Sequence, residues 1–340
     1  MRFPFSLLRS MSVYMLRRKF FGPKKYPLVL MLEPLHACNL HCSGCGRIRE
    51  YADTLGQQLS VDDCVQAVKD CGTPIVSICG GEPLIYSGIV ELTDRLLRLG
   101  KHIYLCTNGQ LLDKKLGEFV ELSKRNKFVK KRLYWNIHLD GTADIHDAIT
   151  GKTGSYETSL AGIIAVKKMG YYAYTNTTIY RGTMAEQFIP FAEQLTDAGI
   201  DGMMFAPAFG YEAVENAHLF LNSDEVHRMF KEIREKLGKY RLTATPLYLD
   251  FLCGERQLPC AAWANPTFNV KGWKAPCYLL TDRHYPTYKE FIEETDWNRI
   301  GPGKDDRCEN CLMHCGFEPA AVLFGNSLRD LLRLALWQLH

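Results

Sequence analysis

Cys38-Asn39-Leu40-His41-Cys42-Ser43-Gly44-Cys45 follows directly on the apolar run Leu28-Val29-Leu30-Met31-Leu32 and sets three thiols at Cys-x3-Cys-x2-Cys spacing. Three is the deciding number. Four cysteines close a zinc or iron–sulfur site, whereas three leave one corner of a [4Fe–4S] cluster with an exchangeable position where a small molecule can bind and react. A zinc knuckle or a loop of unconnected cysteines stays open at this point, since such spacings recur by chance in a chain with 13 cysteines.

Outward from this stretch, β-branched apolar runs alternate with helical patterns. The spacing predicts strands at 28–32, 75–78, 103–106, 133–139, 172–179 and 202–206, with helices at 60–71, 88–99, 112–122, 156–169, 185–198 and 224–237 between and after them. Six βα units require right-handed crossovers and a parallel sheet, and put functional groups at the carboxyl ends of the strands. The expected fold class is therefore α/β, a partial (β/α)6 barrel of TIM-like type with a Cys-rich C-terminal extension. The expected divisions are a basic amphipathic segment at 1–26, the barrel at 27–238, the extension at 239–322 and an amphipathic helix at 323–340.

Behind the second strand stands Gly80-Gly81-Glu82-Pro83. Its glycines would let the backbone approach a ligand closely, and its carboxylate could accept from an ammonium group. With the cysteine triplet it resembles the radical S-adenosylmethionine (SAM) superfamily. The resemblance implies that Cys38, Cys42 and Cys45 hold a [4Fe–4S] cluster whose open iron is chelated by SAM, and that Gly80, Gly81 and Glu82 face the methionine moiety. Asn108, Asp140 and Asn176, at other strand ends, are the further candidates for the nucleoside. The residue after Cys42 is often aromatic in the superfamily and packs near the adenine; here it is Ser43.

Net charge is +3 over 340 residues, too small to argue for nucleic acid as partner. Residues 1–25 nonetheless carry seven Arg or Lys and no acid, interleaved with apolar and aromatic residues, and Leu328–Leu339 repeats the amphipathic character. Neither segment offers the roughly 18 uninterrupted apolar residues of a spanning helix. Each is a candidate either to lie on an anionic membrane surface or to pack on the barrel itself. With no secretory signal pattern at the start, reduced thiols are expected in a cytoplasmic setting, with peripheral contact on the inner face of a bacterial membrane.

Two further sets of cysteines stand out. Cys106 ends the third strand, where it is either a small buried apolar group or a thiol that donates hydrogen to a substrate radical. Cys260, Gly272 and Cys277, followed by Cys308, Cys311 and Cys315, resemble the start of the SPASM and twitch extensions, which hold auxiliary clusters; a second cluster, a zinc or no metal remains open from the residues alone.

A longer resemblance covers roughly residues 25–322. Pro27–Leu40, Val61–Gly72, Tyr104–Asn108, Thr175–Ile179, Gly202–Met204, Leu249–Leu252, Asn265–Thr267, Cys277–Leu280, Glu293–Trp297 and Met313–Gly316 are similar to the adenosylhopene transferases of hopanoid biosynthesis. This implies addition of the 5′-deoxyadenosyl radical to the terminal alkene of hopene (diploptene), giving adenosylhopane. SAM is then a co-substrate, Cys106 is the catalytic residue reducing the product radical, and flavodoxin or ferredoxin is the external one-electron donor. The alternatives are a radical SAM maturase of a peptide and a non-catalytic Fe–S or zinc module.

Overall fold

The computed structural model describes residues 2–214, 216–325 and 327–339. Six strands, β1 (Val29–Leu32), β2 (Ile75–Ile78), β3 (His102–Thr107), β4 (Leu133–His138), β5 (Tyr172–Ile179) and β6 (Gly202–Pro207), pair in parallel in chain order, each within one residue of its expected bounds. The helices in chain order are α1 (Phe5–Phe21), α2 (Arg47–Glu50), α3 (Val61–Cys71), α4 (Ile89–Arg98), α5 (Leu112–Arg125), α6 (Val129–Arg132), α7 (Ala143–Thr150), α8 (Ser155–Lys168), α9 (Phe188–Asp197), α10 (Ser223–Leu237), α11 (Pro246–Leu252), α12 (Tyr288–Glu294), α13 (His314–Phe324) and α14 (Leu328–Leu339).

Local chemistry sets the element ends. Ser60 Oγ accepts from Asp63 N at 3.0 Å to start α3, and Gly72, with φ 70°, ends it in the left-handed conformation that Cβ-bearing residues avoid. Leu30, Leu32, Val76, Ile78, Ile103 and Leu105 are fully buried in the main core, and each contributes about 1.5–3 kcal/mol by leaving water.

The extension continues the same sheet. β7 (Thr267–Asn269) adds in parallel beside β1, and β8 (Gly272–Pro276) and β9 (Thr281–Tyr285) follow antiparallel, giving the order β6-β5-β4-β3-β2-β1-β7-β8-β9. This places the extension directly against the strand that leads into the cysteine loop.

The N-terminal segment packs on the barrel with one face. Leu7, Phe3 and Met11 meet Ile75, Tyr134, Tyr172 and Tyr174 at the amino-terminal ends of the strands. Ser10 Oγ lies 3.1 Å from His102 Nε2. α1 thus closes the end of the barrel opposite the cysteine loop. Among the described residues, no helix is long and apolar enough to cross a membrane.

Candidate active site

The loop after β1 carries the triad. Cys38, Cys42 and Cys45 are all half-buried and reduced. Burial pushes the Cys38 thiol up to about 11, with Glu82 and Cys45 adding to it and the Leu40 backbone opposing. Burial also raises Cys42, reinforced by Cys45, Asp140 and Cys38. Arg49 fixes the loop by donating to the carbonyls of Cys42, at 3.1 Å, and Cys45.

The Gly-Gly-Glu turn braces this loop. Gly81 N donates to Leu35 O at 3.1 Å and Glu82 N to Ala37 O at 2.9 Å. A Cβ on Gly81 would stand 2.0 Å from Ala37 O, and one on Gly80 2.4 Å from Leu35 O. The close approach that demands glycine is therefore to the cysteine loop's own backbone. The Glu82 carboxylate is fully buried and accepts from Leu84 N, Thr107 Oγ1 and Asn108 N at 2.9, 2.7 and 2.8 Å. In this arrangement Glu82 ties the ends of β2 and β3 together, its carboxylate already accepting three hydrogen bonds from the protein.

The other strand-end candidates divide in two. Asn108 Nδ2 donates to Asn39 Oδ1 at 2.7 Å and lies 3.7 Å from Cys38 Sγ, so it borders the triad. Asn176 is half-buried on β5 opposite His138. Asp140, by contrast, is fully buried, accepting from Thr178 N at 2.8 Å and meeting His138 Nε2 at 2.7 Å. Burial works against a charged His138, but the Asp140 carboxylate outweighs it and raises the imidazole above its ordinary value. Asp140 thus holds the ring of His138, a residue not singled out in the sequence.

Cys106 stands on the inner face of β3. Its sulfur lies 3.2 Å from Ser77 Oγ and accepts from Asn136 Nδ2 at 3.5 Å. Beneath it, Tyr104, Tyr134 and Tyr174 pack ring to ring and floor the barrel. Burial raises the thiol above its ordinary value, against the two hydrogen bonds, so sulfur keeps its proton at neutral pH.

Several contributors were missed in the sequence. Cβ atoms on Gly44 and Gly46 would collide with the rings of Tyr180, at 2.5 Å, and Tyr211, at 2.2 Å, so these two tyrosines wall the cysteine loop. Ser43 itself turns away, its N and Oγ both donating to Ile149 O. Buried Glu33 meets Arg47 Nε at 3.0 Å, and Arg47 donates to Tyr278 O and lies 4.2 Å over that ring. Lys274 pairs with Glu50 at 3.0 Å, and burial, with Arg47, lowers its ammonium to about 8. A buried charge cluster therefore joins the cysteine loop to the extension; a glutamate ending an apolar run, twelve residues before Cys45, gives little sign of it in sequence.

In the extension, Cys260, Cys277, Cys308, Cys311 and Cys315 line one small pocket. Cys277 begins the segment held by Arg47. A Cβ on Gly316 would fall 2.7 Å from Cys260 Sγ, so glycine makes room for that sulfur. Among the described residues no three His, Cys, Asp or Glu side chains converge on one point as a single ion needs. The five thiols of the extension surround a space, the arrangement a polynuclear cluster with each thiol on its own iron would need.

Residues 32–195 match the Radical SAM superfamily. This chain carries a radical SAM domain. Proteins of the superfamily bind a [4Fe–4S] cluster and SAM, and the half-buried triad with its bordering strand ends fits that pair. Residues 203–333 match a domain of unknown function, DUF3463. The AdoMet-dependent heme synthase of Methanosarcina barkeri is 27% identical over 47% of this chain and 45% of its own length. The subtilosin biosynthesis protein AlbA of Bacillus subtilis is 26% identical over 57% of this chain and 42% of its own. The chain thus spans less than half of these relatives.

The radical SAM fold extends past the matched region. Streptococcus suis SuiB superposes with a TM-score of 0.65 at 16% identity, over 94% of this chain and 78% of its own. The structure of anSMEcpe with bound AdoMet and Cp18Cys peptide gives 0.58 at 17%, over 86% and 88%.

Proposed function

We propose that this radical SAM enzyme transfers the deoxyadenosyl group of SAM to a terminal alkene, with hopene (diploptene) as the substrate that the sequence resemblance implies. The observation that carries the reading is Cys106, a protonated thiol held by Ser77 and Asn136 on the barrel's inner face, on the strand whose end borders the triad. When bound, the cluster and SAM supply a 5′-deoxyadenosyl radical, using an electron from an external donor such as flavodoxin or ferredoxin. Cys38, Cys42 and Cys45 would hold the cluster, with Asn108, Asn176 and the Gly80-Gly81 backbone bordering SAM.

An alkene that gains the deoxyadenosyl carbon at its terminal methylene is left with a tertiary carbon radical. Cys106 closes it by giving up a hydrogen atom, and the resulting sulfur radical takes one electron from the reductant and one proton from water. A thiolate could not donate that hydrogen, which is why the raised thiol matters. A hydrocarbon offers almost no polar handle, so its recognition must rest on shape and apolar contact.

The test is anaerobic reconstitution with SAM, reductant and diploptene, read by mass spectrometry. An adduct of hopene, deoxyadenosyl and one hydrogen supports the reading, and Cys106→Ala should still consume SAM while giving altered or poorly quenched product. Unchanged saturated adduct from that variant rejects the role of Cys106. Free 5′-deoxyadenosine without adduct rejects the alkene and turns attention to a peptide, as in the bacteriocin pathway that AlbA's name describes.

The five-thiol pocket supports a second cluster in the extension, structural or electron-relaying. Its support is the convergence of thiols from separate segments on one space, with Gly316 clearing room for Cys260.

A further inference from the structure

α14 is built inside out. Its buried residues are Asp330 and Gln338, while Leu328, Leu331, Leu332, Leu336 and Leu339 are 53–75% exposed. The polar side is tied to the protein: Asp330 pairs with Arg256 at 2.6 Å, Arg333 with Asp250 at 2.6 Å, and Gln338 Nε2 donates to Phe3 O at 2.8 Å. A helix that holds Asp330 and Gln338 inward, with Leu334 the leucine on the core, and turns five leucines outward needs an apolar medium against that face.

α1 shares the feature. Phe5, Val13, Leu16 and Phe20, at helical spacing on one outer stripe, are 56–70% exposed. The two helices are joined end to end, Arg2 N donating to Gln338 O at 3.1 Å and Phe3 packing on Trp337 at 5.8 Å. Around the apolar groups of α1 the charge has one sign, since residues 1–25 hold seven cations and no acid, while the acids at α14, Asp330 and Asp250, are paired with Arg256 and Arg333. α6, packed against α1, brings Lys130, Lys131 and Arg132 to the same end.

We infer that α1 and α14 together dock this protein on an anionic lipid surface, with the mouth bearing the cysteine triad turned away from it. Charge decides the occupant. A second copy meeting this face through a two-fold axis would set the same cations against themselves, whereas an anionic leaflet neutralises them while its acyl region takes the leucines. Position decides the orientation. α1 seals the strands at Ile75, Tyr134 and Tyr172, and the triad follows the carboxyl end of β1, so the docked face and the site lie at opposite ends of the barrel. The contact is a tether, and a substrate enters from the far side. This holds whatever the substrate is.

Flotation of the full chain with vesicles tests it. Binding to phosphatidylglycerol–phosphatidylcholine vesicles, at least tenfold weaker on phosphatidylcholine alone or in high salt, is the expected result. The double variant Leu332→Glu/Leu336→Glu, at solvent-facing positions, should keep its Tm and lose at least tenfold in binding. Hydrogen exchange on vesicles should slow over 5–21 and 328–339 and leave 38–47 unchanged. Equal binding to neutral vesicles, or no binding, overturns the proposal. So does a dimer in sedimentation that the double variant dissolves, and slowed exchange over 38–47 overturns the orientation.

Discussion

Replacing Arg47 by methionine should destabilise this protein far more than an ordinary charge deletion. Glu33 is fully buried, with Arg47 Nε 3.0 Å from its carboxylate. Burial drives the Glu33 carboxyl up, yet Arg47 first, then His36 and Lys274, bring it down to about 2. Against an ordinary value near 4.5 that shift corresponds to about 3 kcal/mol at neutral pH, and removing one member of a buried pair typically costs about 3–5 kcal/mol. The double variant Glu33→Gln/Arg47→Met removes both charges of the pair, leaving Lys274 with Glu50, and should recover most of the loss. Anaerobic urea denaturation of the metal-free chain, taken through both single variants and the double, gives the coupling. Sign follows from the direction of the shift. A depressed carboxyl stabilises above the unfolded value near 4.5 and loses that contribution as pH falls through about 2, so the wild-type advantage should be flat from pH 5 to 8 and shrink below. A cost under about 1 kcal/mol for Arg47→Met, or a double variant no better than the single, would refute the reasoning.

Three further outcomes follow from the geometry. Gly81→Ala forces a Cβ to 2.0 Å from Ala37 O; it should cost about 1–3 kcal/mol and lower the iron kept after desalting, because the turn braces the cysteine loop. Glu318, half-buried and accepting from Thr245 N at 3.0 Å, has its carboxyl pushed up to about 7 by loss of solvation. A raised carboxyl contributes fully below about 4.5 and loses that contribution as pH rises through about 7, so wild type should lose about 3 kcal/mol relative to Glu318→Gln over that window, read as Tm against pH. In the triple variant Cys38→Ala/Cys42→Ala/Cys45→Ala, reconstitution should leave about four irons per chain in the extension; a folded variant that retains none, or that holds zinc instead, removes the second cluster.

The parallel strands and the helices between them were legible because each is written in its own stretch of chain: Ile75–Ile78 and Tyr172–Ile179 are β-branched or aromatic runs, and Ser60 and Gly72 cap α3 by local hydrogen bonding and φ. The triad was legible for the same reason, its three thiols lying on one loop. What the sequence left undecided depends on partners distant along the chain. Glu82 and Asp140 read as carboxylates at strand ends, but only the fold shows Thr107 and Asn108 on the oxygens of the first and His138 and Thr178 on those of the second. Amphipathicity alone could not say which side of α14 faces the protein; Asp250, Arg256 and Phe3, up to 335 residues away, hold its polar side inward. Periodicity and spacing report on neighbours in sequence, while the satisfaction of buried charge and hydrogen bonds is settled only once tertiary packing brings the remaining donors and acceptors to them.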